Sequence, residues 1–437
     1  MKTNRVQNKI VNTTFEGGAA AKLSPKQELE HTTLACLLWE DTFYEDGISI
    51  ADRIKECVKK CSISEALEVA KKSKFEQKLR HAPLWILAAI IDKIHLEKKS
   101  DPDVFNSNEI AKFFTRADDM GELVSMYKLN AGEKAPIPNI LKKAVAKALT
   151  KFDEYQVAKY ASKKVNYRLV DLVNLCHPKP TEALSKLING NLEAPDTWEV
   201  AVSAAGSDQD RKAAAWQRLV VDDIIPDMAF LMNIRNIDNN VPGASEIILE
   251  RIEKIQSKKL LPITFLRSGL ANQRYQVPLE KKFFECFVGD KLSGKTAILV
   301  DISGSMGEEE LNYANSLAMI AQEKYSDCDI YSFSDRLVKV KNLSGFKLCD
   351  EINKSQGHNC TYMWNSIDEA CQKANYDRMI VITDEQSHDS QKGKLNTQLY
   401  IINVASYDKS VKCDDSVVQI TGFSDRVFDY IDQYETK

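Results

Sequence analysis

The segment Asp301-Ile-Ser303-Gly-Ser305 sets one carboxylate and two hydroxyls at alternate positions of a short loop. In that pattern three oxygens can be placed around a hard cation. Magnesium takes six oxygen ligands in an octahedral array and usually keeps some of its waters. Asp384, which follows Val381-Ile-Thr383, can add a carboxylate through water, and Thr361, ahead of another helical pattern, can add a hydroxyl. The expected cofactor is a divalent cation, Mg2+ first, held by Asp301, Ser303, Ser305, Thr361 and Asp384. The alternative is a purely structural loop around an empty site. No nucleophile stands beside a paired base, and His388, close to Asp384, reads as a surface residue, so no enzyme is expected.

The elements needed to position these groups can be read around them. Thr296-Ala-Ile-Leu-Val300 is a short apolar run of buried-strand type, and a helical pattern runs from Glu308 to Lys324 after the loop. Ile330–Phe333, Met379–Thr383 and Leu399–Val404 read as further strands, with helical patterns around Met363–Ala374 and Ser424–Gln433. Strands alternating with helices predict a doubly wound α/β domain with a parallel sheet. Such a sheet binds ligands at the carboxyl ends of its strands, where Asp301 and Asp384 both fall. Gly289-Asp-Lys-Leu-Ser-Gly294-Lys295-Thr296 fits the phosphate-loop pattern letter for letter. That loop must open a helix so that its N–H groups face the phosphates, and here a strand follows, so an ATPase is not expected.

The rest of the chain has another character. Up to about residue 285 it reads as short helices separated by turns, without a clean repeat period, and suggests stacked helical pairs. Ser62-Ile-Ser-Glu65 is a capping box, Pro138 precedes a helical run over Ile140–Leu149, and Asn189-Gly190 closes a stretch over Ala183–Ile188. Two domains are expected, 1–290 helical and 291–437 α/β. Of 437 residues 43% are hydrophobic and 28% charged, with 17 Gly and 12 Pro, which excludes collagenous and largely disordered chains. The longest apolar run, Ala82–Ile91, is half of what a membrane span needs, and no secretory signal opens the chain. Ten scattered cysteines suit reduced thiols in the cytoplasm better than a disulfide framework.

The net charge of −4 is unevenly spread. Residues 291–437 carry 16 basic against 23 acidic side chains, and residues 1–290 carry 43 against 40. Within Leu141–Arg168, Lys142, Lys143, Lys147, Lys151, Lys159, Lys163, Lys164 and Arg168 face only Asp153 and Glu154. A polyanion would go to the helical part.

Two resemblances sharpen these expectations. The Asp301-x-Ser303-x-Ser305 loop with Thr361 and Asp384 resembles the metal-ion-dependent adhesion site of von Willebrand factor A domains. That resemblance implies one metal position left open for a carboxylate from a protein ligand. The family usually has Gly-Gly-Thr in its third loop, where this chain has Gly357-His-Asn-Cys-Thr361, so His358 or Asn359 could take a different role. Phe15-Glu-Gly-Gly-Ala, Leu38-Trp-Glu-Asp-Thr-Phe-Tyr-Glu-Asp-Gly47, Tyr155-Gln-Val-Ala-Lys159-Tyr160 and Asp171-Leu-Val-Asn-Leu-Cys-His177-Pro-Lys-Pro180 follow one another in the first part. Thr197-Trp198-Glu199, Phe230-Leu-Met-Asn-Ile-Arg-Asn236 and Leu261-Pro-Ile-Thr-Phe-Leu266 complete the series. In that order, ending where the α/β domain begins, they resemble the TROVE domain of the Ro RNA-binding autoantigen family and its bacterial relatives.

The Ro resemblance implies a ring of HEAT-like helical pairs joined to the von Willebrand A-like domain. It implies single-stranded 3′ ends of misfolded or damaged RNA in the hole, and a small structured Y-like RNA on the basic outer surface. An exoribonuclease is the implied partner. The outer-surface contacts map onto Lys159 and Lys163, spaced i,i+4, and onto His177, with Lys164, Arg168 and Lys179 as further phosphate contacts. Lysines on one face replace counterions around phosphates, and an imidazole can bond a phosphate or stack on a base. The plainer alternatives are a solvated lysine face and a His177 that fixes its turn through the backbone. Trp198 and the Leu38-Trp39 pair are expected in the core. A second reading makes the chain a metal-dependent protein-interaction module with the helical part as a passive scaffold.

Overall fold

The computed structural model describes residues 13–38, 42, 44–161, 165–256, 260–407 and 409–435. Its contacts form two compact units that do not follow one cut in the sequence. One gathers the described residues of Met1–Ala35, Asp41–Asp46 and Phe287–Lys437, the other those of Cys36–Glu40 and Gly47–Cys286.

The second unit is helical throughout. Its capping signals work as expected: Ser62 and Glu65 close a reciprocal box on the helix Ile63–Lys71, and Gly190 ends Glu182–Asn189 in the left-handed conformation. Pro138 stands immediately before Asn139–Leu149, where its missing N–H costs nothing. Helices pack on near neighbours in sequence, as stacked pairs do. His81–Glu97 lies against Gly47–Lys60, Ile63–Lys71 and Asp119–Ala131, and Asn139–Leu149 against Leu169–Cys176. The apolar run within His81–Glu97 is buried from Ala82 to Asp92, which makes it the central helix of this unit. No described helix is long and apolar enough to cross a membrane.

The first unit is built on a six-stranded sheet. The strands are β1 (Leu292–Asp301), β2 (Tyr325–Phe333), β3 (Leu337–Lys339), β4 (Arg378–Thr383), β5 (Gln398–Asn403) and β6 (Val417–Thr421), in spatial order β3-β2-β1-β4-β5-β6. All neighbours pair in parallel except β2 with β3. β1 and β4 are adjacent, with Val300 opposite Ile382, while the chain winds outward from β1 on one side and from β4 on the other. Their carboxyl ends therefore form the topological switch point of the sheet. Gly294, Lys295 and Thr296 lie inside β1, so the phosphate-loop match is a strand, as the apolar residues after it indicate.

The N-terminal segment belongs to this unit. Thr13 bridges Ala19, Ala20 bridges Val411, and the helix Pro25–Leu34 packs against β6. At the opposite end of β4 the Arg378 guanidinium binds Glu435 of the last helix with two bonds of 2.7 and 2.6 Å. A bidentate pair of this kind fixes that helix to the sheet.

Candidate functional site

Asp301 ends β1 and Asp384 follows β4, and both are fully buried. One Asp301 oxygen accepts the Ser303 N–H at 2.9 Å, and the other accepts the hydroxyl of Thr383, the last residue of β4, at 2.6 Å. The loop is thus held by the two strand ends that flank it. Ser303 and Ser305 hydroxyls lie 3.2 Å apart and are buried. Gly304 donates its N–H to the Asn359 carbonyl at 2.9 Å, which brings the loop carrying Thr361 against the Asp301–Ser305 loop. Thr361 itself is buried. Asp384 uses one oxygen to accept the Gln386 N–H at 2.9 Å, while its other oxygen is buried without a hydrogen-bond partner.

The electrostatics are those of negative charge in a dry place. Burial lifts the Asp301 carboxyl to about 6, against the pull of bonds from Thr383 and Ser303, and the charge of Glu16 adds to the lift. Burial, then the charge of Asp301, pushes Asp384 well above the ordinary carboxylate range, and the neighbouring Ser305 hydroxyl offsets only part of it. Two buried carboxylates that repel one another need a proton or a cation between them. The orphaned Asp384 oxygen, the paired serine hydroxyls and the all-oxygen donor set fit a hard divalent cation. Asp301, Ser303 and Ser305 would hold it, with Asp384 and Thr361 beside them.

The third loop resolves the roles left open by its departure from Gly-Gly-Thr. His358 turns its Nε2 to the Asn353 carbonyl at 3.0 Å, and Asn359 donates to Asp335 at 2.6 Å. Both brace the loop. His388 corrects the expectation of a surface residue: it is half-buried, accepts the Thr361 N–H on Nδ1 at 3.1 Å and places Nε2 2.7 Å from Glu16. Its place between two loops and the N-terminal segment draws it in.

Glu16, Tyr44 and Tyr407 are residues of this site that sequence reasoning missed. The Tyr44 hydroxyl donates to Glu16, and Phe15 stacks on Tyr44 with ring centres 4.6 Å apart. Tyr407 meets Tyr44 edge-on at 5.1 Å and donates its hydroxyl to the Ser305 carbonyl at 3.4 Å. The available signal was the Phe15-Glu-Gly-Gly phrase and the phrase containing Tyr44, both singled out without a role.

In the helical unit, Lys159 lies on Glu154–Ala161 with its ammonium 5.9 Å from the centre of the Tyr160 ring. Lys163 and Lys164 lie outside the described residues. Arg168 caps Leu169–Cys176 and binds Asp171 through Nε and Nη2, each at 3.0 Å, on an exposed surface. Two of its five N–H groups are so engaged. His177 is exposed at the other end of the same helix, in the left-handed region with φ 48°, and its N–H bonds the Val173 carbonyl at 3.0 Å. The bond that holds this turn is made by the main-chain N–H, not by the imidazole, and the residue is exposed. Arg168 and His177 stand at opposite ends of this helix, about 13 Å apart along its axis. Lys143, Lys147, Lys151 and Lys179 are exposed on the same stretch of chain. Trp198, expected in the core, is half-buried and stacks on Trp216 at 6.0 Å, since its helix Trp198–Ala204 buries none of its residues fully. Leu38 is buried, and Trp39 lies outside the described residues.

A helical unit paired with a doubly wound α/β unit, whose buried acidic pocket lies at the sheet's switch point, defines the class of protein. The particular likeness is to the crystal structure of the Ro (RSR) protein of Deinococcus radiodurans, with a TM-score of 0.59 over 92% of this chain and 97% of that one, at 15% identity. The fold is that of a bacterial Ro protein. No protein-family model and no curated protein matches the chain.

Proposed function

We propose that the chain is a non-enzymatic, cytoplasmic RNA-binding protein of the Ro type. It holds a small structured noncoding RNA of the Y kind on the basic surface of the helical unit. Lys159, Lys163 and His177 make the contacts, with Lys164 and Arg168 as further phosphate partners. Single-stranded 3′ ends of misfolded or damaged RNA enter the hole of a helical ring, and an exoribonuclease acts with the protein in RNA quality control or processing.

The observation that carries this reading is the basic surface itself. Among its described cations Lys143, Lys147, Lys151, Arg168 and Lys179 are exposed and Lys159 is half-buried; they extend over adjoining helices in a chain with a Ro fold. Cations along an exposed face displace the counterions of phosphates and give affinity that falls with salt. The acidic pocket has a separate role: a divalent cation bound there supplies the positive charge that lets Asp301 and Asp384 share one site.

The test is to purify the protein gently from its native host at moderate salt and sequence the RNA that accompanies it, with Lys159→Glu/Lys163→Glu as control. One abundant structured RNA, lost from the control, is expected. RNA fragments retained equally by the control would move binding to the hole. Protein free of RNA would favour a metal-dependent protein-interaction module.

A further inference from the structure

We propose that the cavity beside Tyr160 receives a single unpaired guanine of the bound RNA; the proposal rests on the reading of the basic surface as an RNA site.

The cavity lies in the helical unit, where the segment between the helices Glu154–Ala161 and Leu169–Cys176 approaches the helix Asp119–Ala131. Gly121 permits that approach, since a Cβ there would stand 2.5 Å from the Tyr167 carbonyl oxygen. The space left is about 220 Å³. Pockets for drug-sized ligands run from about 300 Å³ upward, so this one suits a single planar base. Tyr160 supplies an aromatic ring, Val165 and Leu169 apolar contact, and Asp118, Glu122 and Asn166 polar groups.

The polar groups divide into engaged and available. Asp118 accepts from Arg80 Nη2 at 2.8 Å and from Arg116 Nε and Nη2 at 3.0 and 3.1 Å. The same Arg116 guanidinium stands 5.0 Å from the centre of the Tyr160 ring and so steadies it. Arg80 also bonds Asp119 at 3.2 Å, and the Lys74 ammonium is 3.6 Å from that carboxylate. Three cations therefore offset Asp118, Asp119 and Glu122, and the cavity has no excess charge with which to select a cation. Glu122 is 3.9 Å from Arg80, beyond hydrogen-bond distance. Among the described residues neither its carboxylate nor the Asn166 amide makes a side-chain hydrogen bond.

An ionised carboxylate only accepts, through two oxygens side by side. Guanine presents two donors side by side on its Watson–Crick edge, N1–H and the 2-amino group, and its O6 beside them can accept from an amide such as that of Asn166. Adenine, cytosine and uracil each set an acceptor next to the donor on that edge, which a carboxylate repels. Unstacked RNA bases are read in this way, laid on an aromatic ring and bonded along that edge. A base already outside a duplex costs least to place there. Its phosphate has a partner close by: the Lys159 ammonium is 5.9 Å from the Tyr160 ring centre, a separation that one nucleotide spans. Phosphate contacts alone carry no sequence information, and this cavity adds a preference among bases.

The experiment incubates the full chain at moderate salt with a pool of stem-loop RNAs that carry one unpaired nucleotide, randomised in identity and position, and sequences the bound fraction. Wild type, Glu122→Gln and Lys159→Glu/Lys163→Glu are compared. Wild type should enrich guanine at the unpaired position at least about tenfold, a factor within the range of a bidentate base contact. Replacing the selected guanine by inosine, which lacks the 2-amino group, should weaken binding. Glu122→Gln should bind the pool with that preference lost, and Lys159→Glu/Lys163→Glu should bind little of it. A wild-type fraction without base preference, or the same guanine preference in Glu122→Gln, would overturn the role of the cavity and leave the RNA surface standing. No binding by wild type would overturn both.

Discussion

Replacing Asp301 by Asn, in protein stripped of divalent ions, should make the sheet more stable at about pH 8, not less. Burial holds the Asp301 carboxyl at about 6, so the folded chain binds that proton more tightly than the unfolded chain does. Ionisation therefore costs stability. The cost is absent below the unfolded value of about 4, grows as pH rises, and is complete above the folded value. The gap between the two values corresponds to about 3 kcal/mol, or about a hundredfold in an opening equilibrium. Asparagine has the same shape, keeps an acceptor for the Ser303 N–H, and offers a donor to the Thr383 hydroxyl, which can accept it. It also removes the charge that helps to raise Asp384. Hydrogen exchange of peptides from β1 and β4 in EDTA gives a local readout. Wild-type protection should fall as pH rises between about 4 and 6, while the variant, which keeps only the buried Asp384, falls less and ends up to about a hundredfold better protected at high pH. Added Mg2+ should raise wild-type protection and leave the variant unchanged. A variant less protected than wild type in EDTA, or one gaining equally from Mg2+, would refute the account of the pocket.

His177→Gly separates the two roles of that residue. Glycine adopts a positive φ freely, so the melting temperature should hold or rise, while affinity for structured RNA falls if the ring makes the contact; unchanged affinity in a binding titration would leave His177 only its turn. Gly18→Ala, which would place a Cβ 2.3 Å from the Ser387 carbonyl oxygen, should release the N-terminal segment from the loop after β4. Each lost hydrogen bond contributes about 1 kcal/mol, and limited proteolysis should cut near residues 13–20, where the wild type resists. The Lys159→Glu/Lys163→Glu protein should bind structured RNA more than tenfold more weakly at moderate salt, with a log–log salt slope smaller by about 2. Asp301→Ala should abolish Mg2+ binding, read by calorimetry, and leave RNA affinity intact.

The sheet was legible because buried parallel strands write their burial into local composition. Met379–Thr383 was read one residue short of β4, Leu399–Val404 one residue out of register with β5, and the helix Glu308–Lys324 was found with both its ends. β1 and β2 begin earlier than their apolar runs, since Leu292–Lys295 and Tyr325–Asp329 carry exposed and half-buried polar residues into the sheet. β3, only three residues long, and β6, which buries one residue, leave too little pattern to see. The pairing of Asp301 with Asp384 was expected because both follow buried strands of one sheet and match the adhesion-site pattern. Glu16 was not, because its link to the pocket runs through Tyr44 and His388, and contacts between such distant residues follow no period. Thr14 and Ser387, which bond one another, are 373 positions apart.

That distance has a consequence for the birth of the molecule. A chain emerging from the ribosome presents residues 13–35 before the second unit, yet Gln386, Ser387, Ser390 and Val411, to which they bond or bridge, are made after all the described helices of that unit. Helices that pack on sequence neighbours can form as they appear, whereas pairings this remote must wait. The buried side of Pro25–Leu34, whose His31 bonds Tyr407 and Glu385, waits for partners made near the end of translation. A nascent-chain chaperone would meet this segment before the helices of the second unit and release it after them.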